Sequence, residues 1–231
     1  MKKYIIRMPI VVCVIVLLVI CAQAKTQVAY PTLNRIVIKT KVALKTKLKM
    51  KNYTGKVTWK SQDKKIATVS ENGAVIGRKK GSTYVYAELK NGRDLWCYVS
   101  VKKNQIVLQG EDIRNDYSGT NFIDCESKKL FFNSNRRLCY KVKMVNPTWR
   151  TYEYKSVKVE ISSYGDTHRL AKHKFGLSSS GAAWLEGGET GTITLVFPKS
   201  KTKKIVDLKK WFNKHGGYHN GNSWRGSEVF D

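Results

Sequence analysis

The sequence predicts an all-β protein of two tandem β-sandwich domains behind an N-terminal signal peptide. Between residues 57 and 101, short runs of β-branched and aromatic residues alternate with Asn-Gly, Gly or charged turns, which is typical of antiparallel strands. Beyond residue 104 more alternating runs follow, with no long helical pattern between them. Of the 231 residues, 42% are apolar, which is enough to bury two cores and argues against wholesale disorder.

The first 24 residues have the pattern of a secretory signal peptide. Lys2, Lys3 and Arg7 precede an apolar run over 8–21, and Ala22-Gln23-Ala24 places small residues at the cleavage site. The apolar run has about 14 residues, fewer than the ~20 that span a bilayer, although an uncleaved anchor is the alternative. We therefore expect a secreted or cell-surface protein that meets the membrane only before cleavage.

Basic residues greatly outnumber acidic ones. The chain has 43 Lys and Arg against 17 Asp and Glu, and its formal net charge is +26. Self-repulsion on this scale favours an anionic partner. For an exported chain we expect an anionic cell-wall polymer, an acidic glycan or another surface protein, and no nucleic acid. Solubility alone is the alternative explanation.

The segment over 42–51 alternates between apolar and basic residues. This period of two predicts a strand with one apolar face turned inward and a row of ammonium groups turned outward. The row is a candidate anion-binding site, but it could equally be a solvated face or protect an edge strand from aggregation. Its members are Lys45, Lys47, Lys49 and Lys51.

The last two strands of this domain predict a hairpin with a patch of aromatic rings. A three-residue loop, Lys90-Asn91-Gly92 with Gly92 in the left-handed conformation, keeps both apolar faces inward and pairs Val85 with Cys97. Four aromatic residues then share the outer face. They could stabilise the strand pair, or bind sugar rings, another protein or the second domain. These residues are Tyr84, Tyr86, Trp96 and Tyr98.

Several motifs in this region recur in a fixed order. They are Trp59-x-Ser61, Ile66-Ala67-Thr68-Val69, Asn72-Gly73-x-Val75, Gly77, Gly81-x-Thr83-x-Val85-x-Ala87 and Val99-x-Val101. In order and spacing they resemble the bacterial immunoglobulin-like group 2 domain over about residues 33–103. The resemblance implies an immunoglobulin-like β-sandwich, used in bacterial secreted and surface proteins for adhesion or spacing, without catalytic residues. We assign residues 25–103 to this domain.

A short polar junction, Lys102-Lys103-Asn104-Gln105, leads into the second predicted domain over 104–215. Alternating runs over 138–144, 157–161 and 193–197 predict a second immunoglobulin-like sandwich, and the junction is too brief for free tumbling. Residues 207–215 predict one or two helical turns with Asp207 as N-cap. Residues 216–231 read as a loose polar tail.

The second domain also resembles the secreted FxLYD-type domains in three places. The matching motifs are Tyr140-Lys141-Val142 before Asn146, Val157-Lys158-Val159 before Tyr164-Gly165-Asp166, and Gly188-Glu189-Thr190. Gly165 interrupts the aromatic-Asp step of that pattern.

Three cysteines remain in the predicted mature chain, so at least one has no intramolecular partner. Cys125 and Cys139 are a candidate disulfide, since exported proteins fold in an oxidising compartment. However, a hairpin with its tip at 133–135 would place Cys139 opposite Lys129, about 13 Å along the strand from Cys125, and a bridge needs Cα atoms within roughly 7 Å. The sequence leaves this bridge open.

Motifs for catalysis or metal binding are sparse. His215 and His219 have i,i+4 spacing, but Gly216-Gly217 interrupts the helix that would align them. The chain has no Gly-rich phosphate loop, zinc cysteine pattern or nucleophile motif. We therefore expect no enzyme activity, cofactor or metal.

Two functions fit the sequence. One is an exported bacterial binding or adhesion protein whose basic immunoglobulin-like module holds an anionic cell-wall or glycan polymer. The alternative is a carbohydrate-binding accessory module that uses the aromatic patch, or a purely structural spacer.

Overall fold

A computed structural model describes residues 30–108, 124–163, 168–177, 184–202 and 204–228. The predicted signal peptide over 1–24 lies outside these ranges. The described chain is built from β-strands, with one short α-helix, so the predicted all-β class is confirmed. Within the described ranges, no helix has the length and apolar character needed to cross a bilayer.

The first domain contains nine strands in three sheets. The main sheet has the order β2-β9-β8-β5, in which β2 is parallel to β9, and the smaller sheets have the orders β3-β7-β6 and β1-β4. The strands are β1 (Thr32–Leu33), β2 (Val37–Lys41), β3 (Lys45–Lys47), β4 (Met50–Lys51), β5 (Val57–Ser61), β6 (Ala67–Val69), β7 (Ala74–Gly77), β8 (Gly81–Leu89) and β9 (Asp94–Lys102).

The β8–β9 hairpin has the predicted register. Val85 pairs with Cys97, and both are fully buried. The last backbone pair is closed by the Leu89 N–H, which donates to the Arg93 carbonyl at 2.9 Å, so the loop has three residues. Gly92 has φ +78°, the left-handed conformation that this loop requires.

The predicted single strand over 42–51 is wrong. Ala43 is buried and has φ +71°, which breaks the extended backbone directly after β2. The segment then forms β3 and β4, which belong to different sheets. Its four lysines nevertheless remain exposed, because Leu48 between the two strands is turned into the core.

In the predicted second domain and the tail that follows it, the described residues form two sheets of four strands each. One has the order β10-β11-β12-β16, and the other is centred on β13, with β14 and β15 along one edge and β17 along the other. The strands are β10 (Gln105–Val107), β11 (Asp124–Phe132), β12 (Leu138–Val145), β13 (Tyr152–Ser163), β14 (Arg169–Gly176), β15 (Trp184–Leu185), β16 (Thr190–Val196) and β17 (Tyr218–Glu228).

Side chains that alternate in the sequence form the core of this domain. On β12, Tyr140, Val142 and Met144 are fully buried, as are Val157 and Ile161 on β13. The alternating runs therefore identified the central strands correctly. Most of the buried apolar side chains of both domains belong to one connected cluster.

Helix α1 (Leu208–Lys214) begins and ends as predicted. The Asp207 carboxylate accepts a hydrogen bond from the Lys210 N–H at 3.3 Å, which makes Asp207 the N-cap. Gly216 and Gly217 follow with φ +85° and +107°, and the Gly217 N–H donates to the Phe212 carbonyl at 2.9 Å.

The predicted loose tail over 216–231 is wrong for most of its length. Residues 218–228 form β17, which pairs with β13 from Tyr152 to Ser163. The segment is rich in Gly, Asn and Ser and has no apolar alternation, so its sequence gives no strand signal. Pairing with the backbone of a long central strand overrides that composition.

The candidate disulfide between Cys125 and Cys139 is not formed. Cys139 is a free, buried thiol. In the β11–β12 register Cys139 lies opposite Phe131 and Cys125 opposite Met144. The two cysteines are therefore separated by five paired positions along the ladder, about 17 Å, which is far beyond the reach of a bridge.

Candidate anion-binding cleft between the domains

Asn104 fixes the junction between the two domains. Its side chain is almost fully buried, at 1% exposure. The side-chain amide donates to the carbonyls of Val42 at 3.2 Å and Val206 at 2.8 Å, and its oxygen accepts from the Leu208 N–H at 3.0 Å. One side chain thus ties the first domain to the start of helix α1, and the predicted stiffness of this junction has a structural cause.

Two further contacts hold the domains together next to Asn104. Lys41 forms an ion pair of 2.7 Å with Asp207, the N-cap of α1. The Nε of Arg136, in the β11–β12 turn, donates to the Ala43 carbonyl at 3.3 Å. The strained backbone at Ala43 therefore presents its carbonyl to the second domain.

A cleft of about 1110 Å³ lies along this junction, and we call it the junction cleft. Segments from both domains line it: three lie in the first domain, one is the linker, and one runs from the end of β11 into the β11–β12 turn. The lining residues are Val42, Lys64, Lys65, Thr68, Arg78, Lys79, Lys80, Lys103, Asn104, Gln105, Lys129, Phe131, Phe132, Asn133, Ser134 and Asn135.

The lining of the junction cleft carries charge of one sign only. Seven of its side chains are cationic and none is acidic, among the residues that the structure describes. None of the seven forms an ion pair within the described part of the chain. A concave surface with unneutralised charge of one sign focuses the electrostatic field and raises the local concentration of the opposite ion.

Arg78 is the most firmly held of these cations. Its Nε donates to Thr68 Oγ1 at 3.0 Å, and its Nη1 donates to the Ser134 carbonyl at 2.9 Å, across the domain boundary. On the other wall, the Lys129 ammonium lies 4.9 Å from the centre of the Phe131 ring. Arg78 thus presents a fixed charge, whereas the exposed lysines at 64, 65, 79, 80 and 103 can adjust to a ligand.

This arrangement suits the binding of several anionic groups at once. Lysine ammonium groups bind phosphate and carboxylate as point charges, without demanding one ligand geometry. Among the described residues there is no group of three or more His, Cys, Asp or Glu that could hold a metal ion. The described lining of the cleft therefore offers a set of positive charges with hydroxyl and amide groups between them.

The predicted lysine row lies outside the junction cleft. The row forms a separate exposed face, and one member, Lys47, donates to the Asn72 carbonyl. The row and the junction cleft are therefore two separate groups of basic side chains. None of the four lysines of the row lines the cleft.

The predicted aromatic patch is present on the outer face of the hairpin. Trp96 is 52% exposed and Tyr84 is 44% exposed. Ring centres lie 6.0 Å apart for Tyr84 and Trp96, 5.5 Å for Tyr84 and Tyr98, and 4.7 Å for Tyr86 and Trp96. The rings thus contact one another and remain open to solvent, so the option of a buried interface with the second domain is wrong for this patch.

The sequence contains two basic runs that line the cleft, and neither was predicted to be part of a binding site. The run Arg78-Lys79-Lys80 lies between Gly77 and Gly81, and Lys64-Lys65 lies in the turn before β6. Each basic run resembles an ordinary solvated turn. Only the antiparallel pairing of β6 with β7 places these two turns at the same end of the sheet.

Comparison with known proteins identifies one part of the chain. No curated protein matches the sequence. Residues 36–99 match the family model of the bacterial Ig-like domain (group 2), which confirms the resemblance carried by the motifs between Trp59 and Val101.

Proposed function

We propose that this protein is an exported, non-catalytic binding protein of a bacterial surface, and that it holds a linear anionic cell-wall or glycan polymer. The observation that carries the proposal is the junction cleft, with seven cations and no acidic side chain among its described lining residues. Bacterial Ig-like domains of group 2 typically occur in extracellular or surface proteins, which supports the location.

The density of positive charge in the cleft destabilises the free protein, and an anionic ligand would remove this destabilisation. Seven unpaired cations in one cleft repel one another in the free protein, and a polymer with repeated anionic groups would neutralise them together. A single small anion could pair with only a few of them. The geometry therefore favours a polymer over a small ligand.

The proposal is tested by measuring binding to wall teichoic acid, a phosphodiester polymer, and to polygalacturonate, a carboxylate polymer, with neutral dextran as the negative control. Binding to either polyanion should weaken steeply as salt rises, because exposed charges are screened. The variant K64Q/K79Q/K80Q should bind roughly tenfold more weakly, since each exposed ion pair contributes about 0.2–1 kcal/mol.

The matched control removes the same charge from the lysine row. The variant K45Q/K49Q/K51Q alters three exposed lysines of the first domain that do not line the cleft. It should retain most of the affinity. An equal loss in both variants would mean that net charge, and not the cleft, determines binding, and no binding to either polyanion would contradict the proposal.

A second candidate function is the stacking of sugar rings on the aromatic patch. Three of its rings, Tyr84, Trp96 and Tyr98, are at least 38% exposed, which favours this role. Replacing Trp96 and Tyr98 by serine should then abolish the retention of a neutral glycan, and salt should have little effect on that retention. Unchanged retention would exclude the patch as a sugar site.

A further inference from the structure

A second basic depression lies on the other side of the β11–β12 turn. It has a volume of about 250 Å³ and is lined by four cationic side chains, by Thr202 and by Ile205. None of the described lining residues is acidic. The cationic residues are Arg136, Arg137, Lys199 and Lys204.

A third depression follows, with a volume of about 380 Å³. Its cations are Arg169, Lys172 and Lys201, and Ala171 and Ser200 complete the lining. Here one acidic group is adjacent: Glu160 pairs with Arg169 at 3.3 Å and also with Lys172. The third depression is therefore less strongly positive than the other two.

Short chain segments connect the three depressions. In the β11–β12 turn, residues 133–135 line the junction cleft, and the next two residues, 136 and 137, line the second depression. In the 3₁₀ turn over Lys199–Lys201, Lys199 lines the second depression and the next two residues line the third. Each neighbouring pair of depressions thus shares one turn as its common wall.

We infer that the three depressions form one cationic track that runs from the first domain onto the second, and that its ligand is a linear polyanion long enough to contact both domains. This inference rests on the proposed function and specifies the ligand of the same cleft. It predicts that affinity depends on the length of the polymer and not only on its charge density.

The shape and chemistry of the track favour a flexible chain without bases. The depressions follow one another past the β11–β12 turn and the 3₁₀ turn, an arrangement that suits a linear chain better than a flat anionic bilayer. Single-stranded nucleic acid is usually held by exposed aromatic rings that stack on its bases. The described lining residues include only two aromatic side chains, Phe131 and Phe132. Phe131 is half buried and packs against Lys129, and Phe132 is buried, so neither ring is open for stacking on a base.

The test uses inorganic polyphosphate as the probe, in a long-chain form and as tripolyphosphate. The variant K199Q/K201Q/K204Q removes three exposed lysines of the second and third depressions. It should weaken binding of the long chain roughly tenfold, by the strength of exposed ion pairs, and leave tripolyphosphate affinity unchanged. The cleft variant K64Q/K79Q/K80Q should weaken binding of both.

The matched control is K90Q/K158Q/K174Q, which removes three exposed lysines that line none of the three depressions. Its affinity for the long chain should fall by no more than about twofold through the lower net charge. Replacing polyphosphate with polygalacturonate of matched length distinguishes a phosphate ligand from a carboxylate ligand. Length dependence in either series supports the track.

Three results would overturn the track. The first is an equal loss of affinity for long-chain polyphosphate and for tripolyphosphate in K199Q/K201Q/K204Q. The second is unchanged affinity of that variant for long-chain polyphosphate. The third is tighter binding of oligo-dT or of anionic vesicles than of long-chain polyphosphate. If the cleft variant still reduces binding of the wall polymer in the first two cases, the proposed function stands and only the track is wrong. If no polyanion binds, the proposed function itself is wrong.

Discussion

Replacing Asn104 with leucine is expected to lower the free energy of unfolding by about 3–6 kcal/mol. Leucine has a similar volume, so the effect comes from lost hydrogen bonds and not from a cavity. The Val42 carbonyl and the Leu208 N–H would be left buried without these partners, and each such group costs about 1–3 kcal/mol. The Val206 carbonyl is partly buried and adds less.

Urea denaturation followed by tryptophan fluorescence measures this loss. Because Asn104 connects the two domains, the variant should also unfold with a broader transition or with two transitions. Asn135→Leu, in the exposed β11–β12 turn, is the control and should change stability by less than about 0.5 kcal/mol. A loss below about 1 kcal/mol for Asn104→Leu would refute the role of this side chain at the junction.

Gly73→Ala should destabilise the first domain by about 1–3 kcal/mol, measured by thermal denaturation. The reason is that Gly73 has φ +75° and that an added Cβ would lie 2.6 Å from the Leu48 carbonyl oxygen. Gly176→Ala is the control and should leave stability unchanged, because an added Cβ there has no atom within 4 Å. Burial raises the pKa of the Cys97 and Cys139 thiols to about 11, so both should react slowly with iodoacetamide until the chain unfolds. Since the unfolded chain loses these protons at lower pH, stability should fall as the pH rises from about 9 towards 11, and this fall should be smaller in C97A/C139A, where burial of Tyr154, which also raises its pKa, still contributes above about pH 10. Glu160→Gln should tighten long-chain polyphosphate binding by about two- to fivefold, because it frees two cations of the third depression.

Local patterns were sufficient to predict the hairpin and the core strands. The loop length followed from the alternation of inward and outward side chains on the two strands. Only a three-residue loop keeps Val85 and Cys97 on the same face, and the structure has this register. Asp207 was predictable as an N-cap because capping depends on neighbouring residues alone. In both cases the relevant information lies within a few residues of the feature.

Features that depend on distant residues were missed. The strand over 218–228 exists because β13 offers a long edge to pair with, and its own Gly-rich sequence carries no such signal. The break at Ala43 has no signal in the neighbouring residues, and the Ala43 carbonyl accepts a hydrogen bond from Arg136 of the second domain. The junction cleft combines basic side chains from segments up to 65 residues apart in sequence, from Lys64 to Lys129, and its two basic runs over 64–65 and 78–80 each resemble a solvated turn on their own.

The repulsion between the cations of the cleft acts against the contacts that hold the two domains together at the junction. Two unit charges about 10 Å apart in water repel by roughly 0.4 kcal/mol before screening, so the several pairs across the cleft cost on the order of 1–3 kcal/mol. The hydrogen bonds of Asn104 and the Lys41–Asp207 pair contribute a comparable stabilisation at the same boundary, which keeps the two sets of cations together without a ligand. A bound polyanion would reverse the sign of the cleft's contribution, because the cations would then attract a common partner and hold the domains more tightly. If the cleft binds a polyanion as proposed, the residues that fix the junction would keep the cleft preorganised, so that little of the binding free energy would be spent on bringing the domains together.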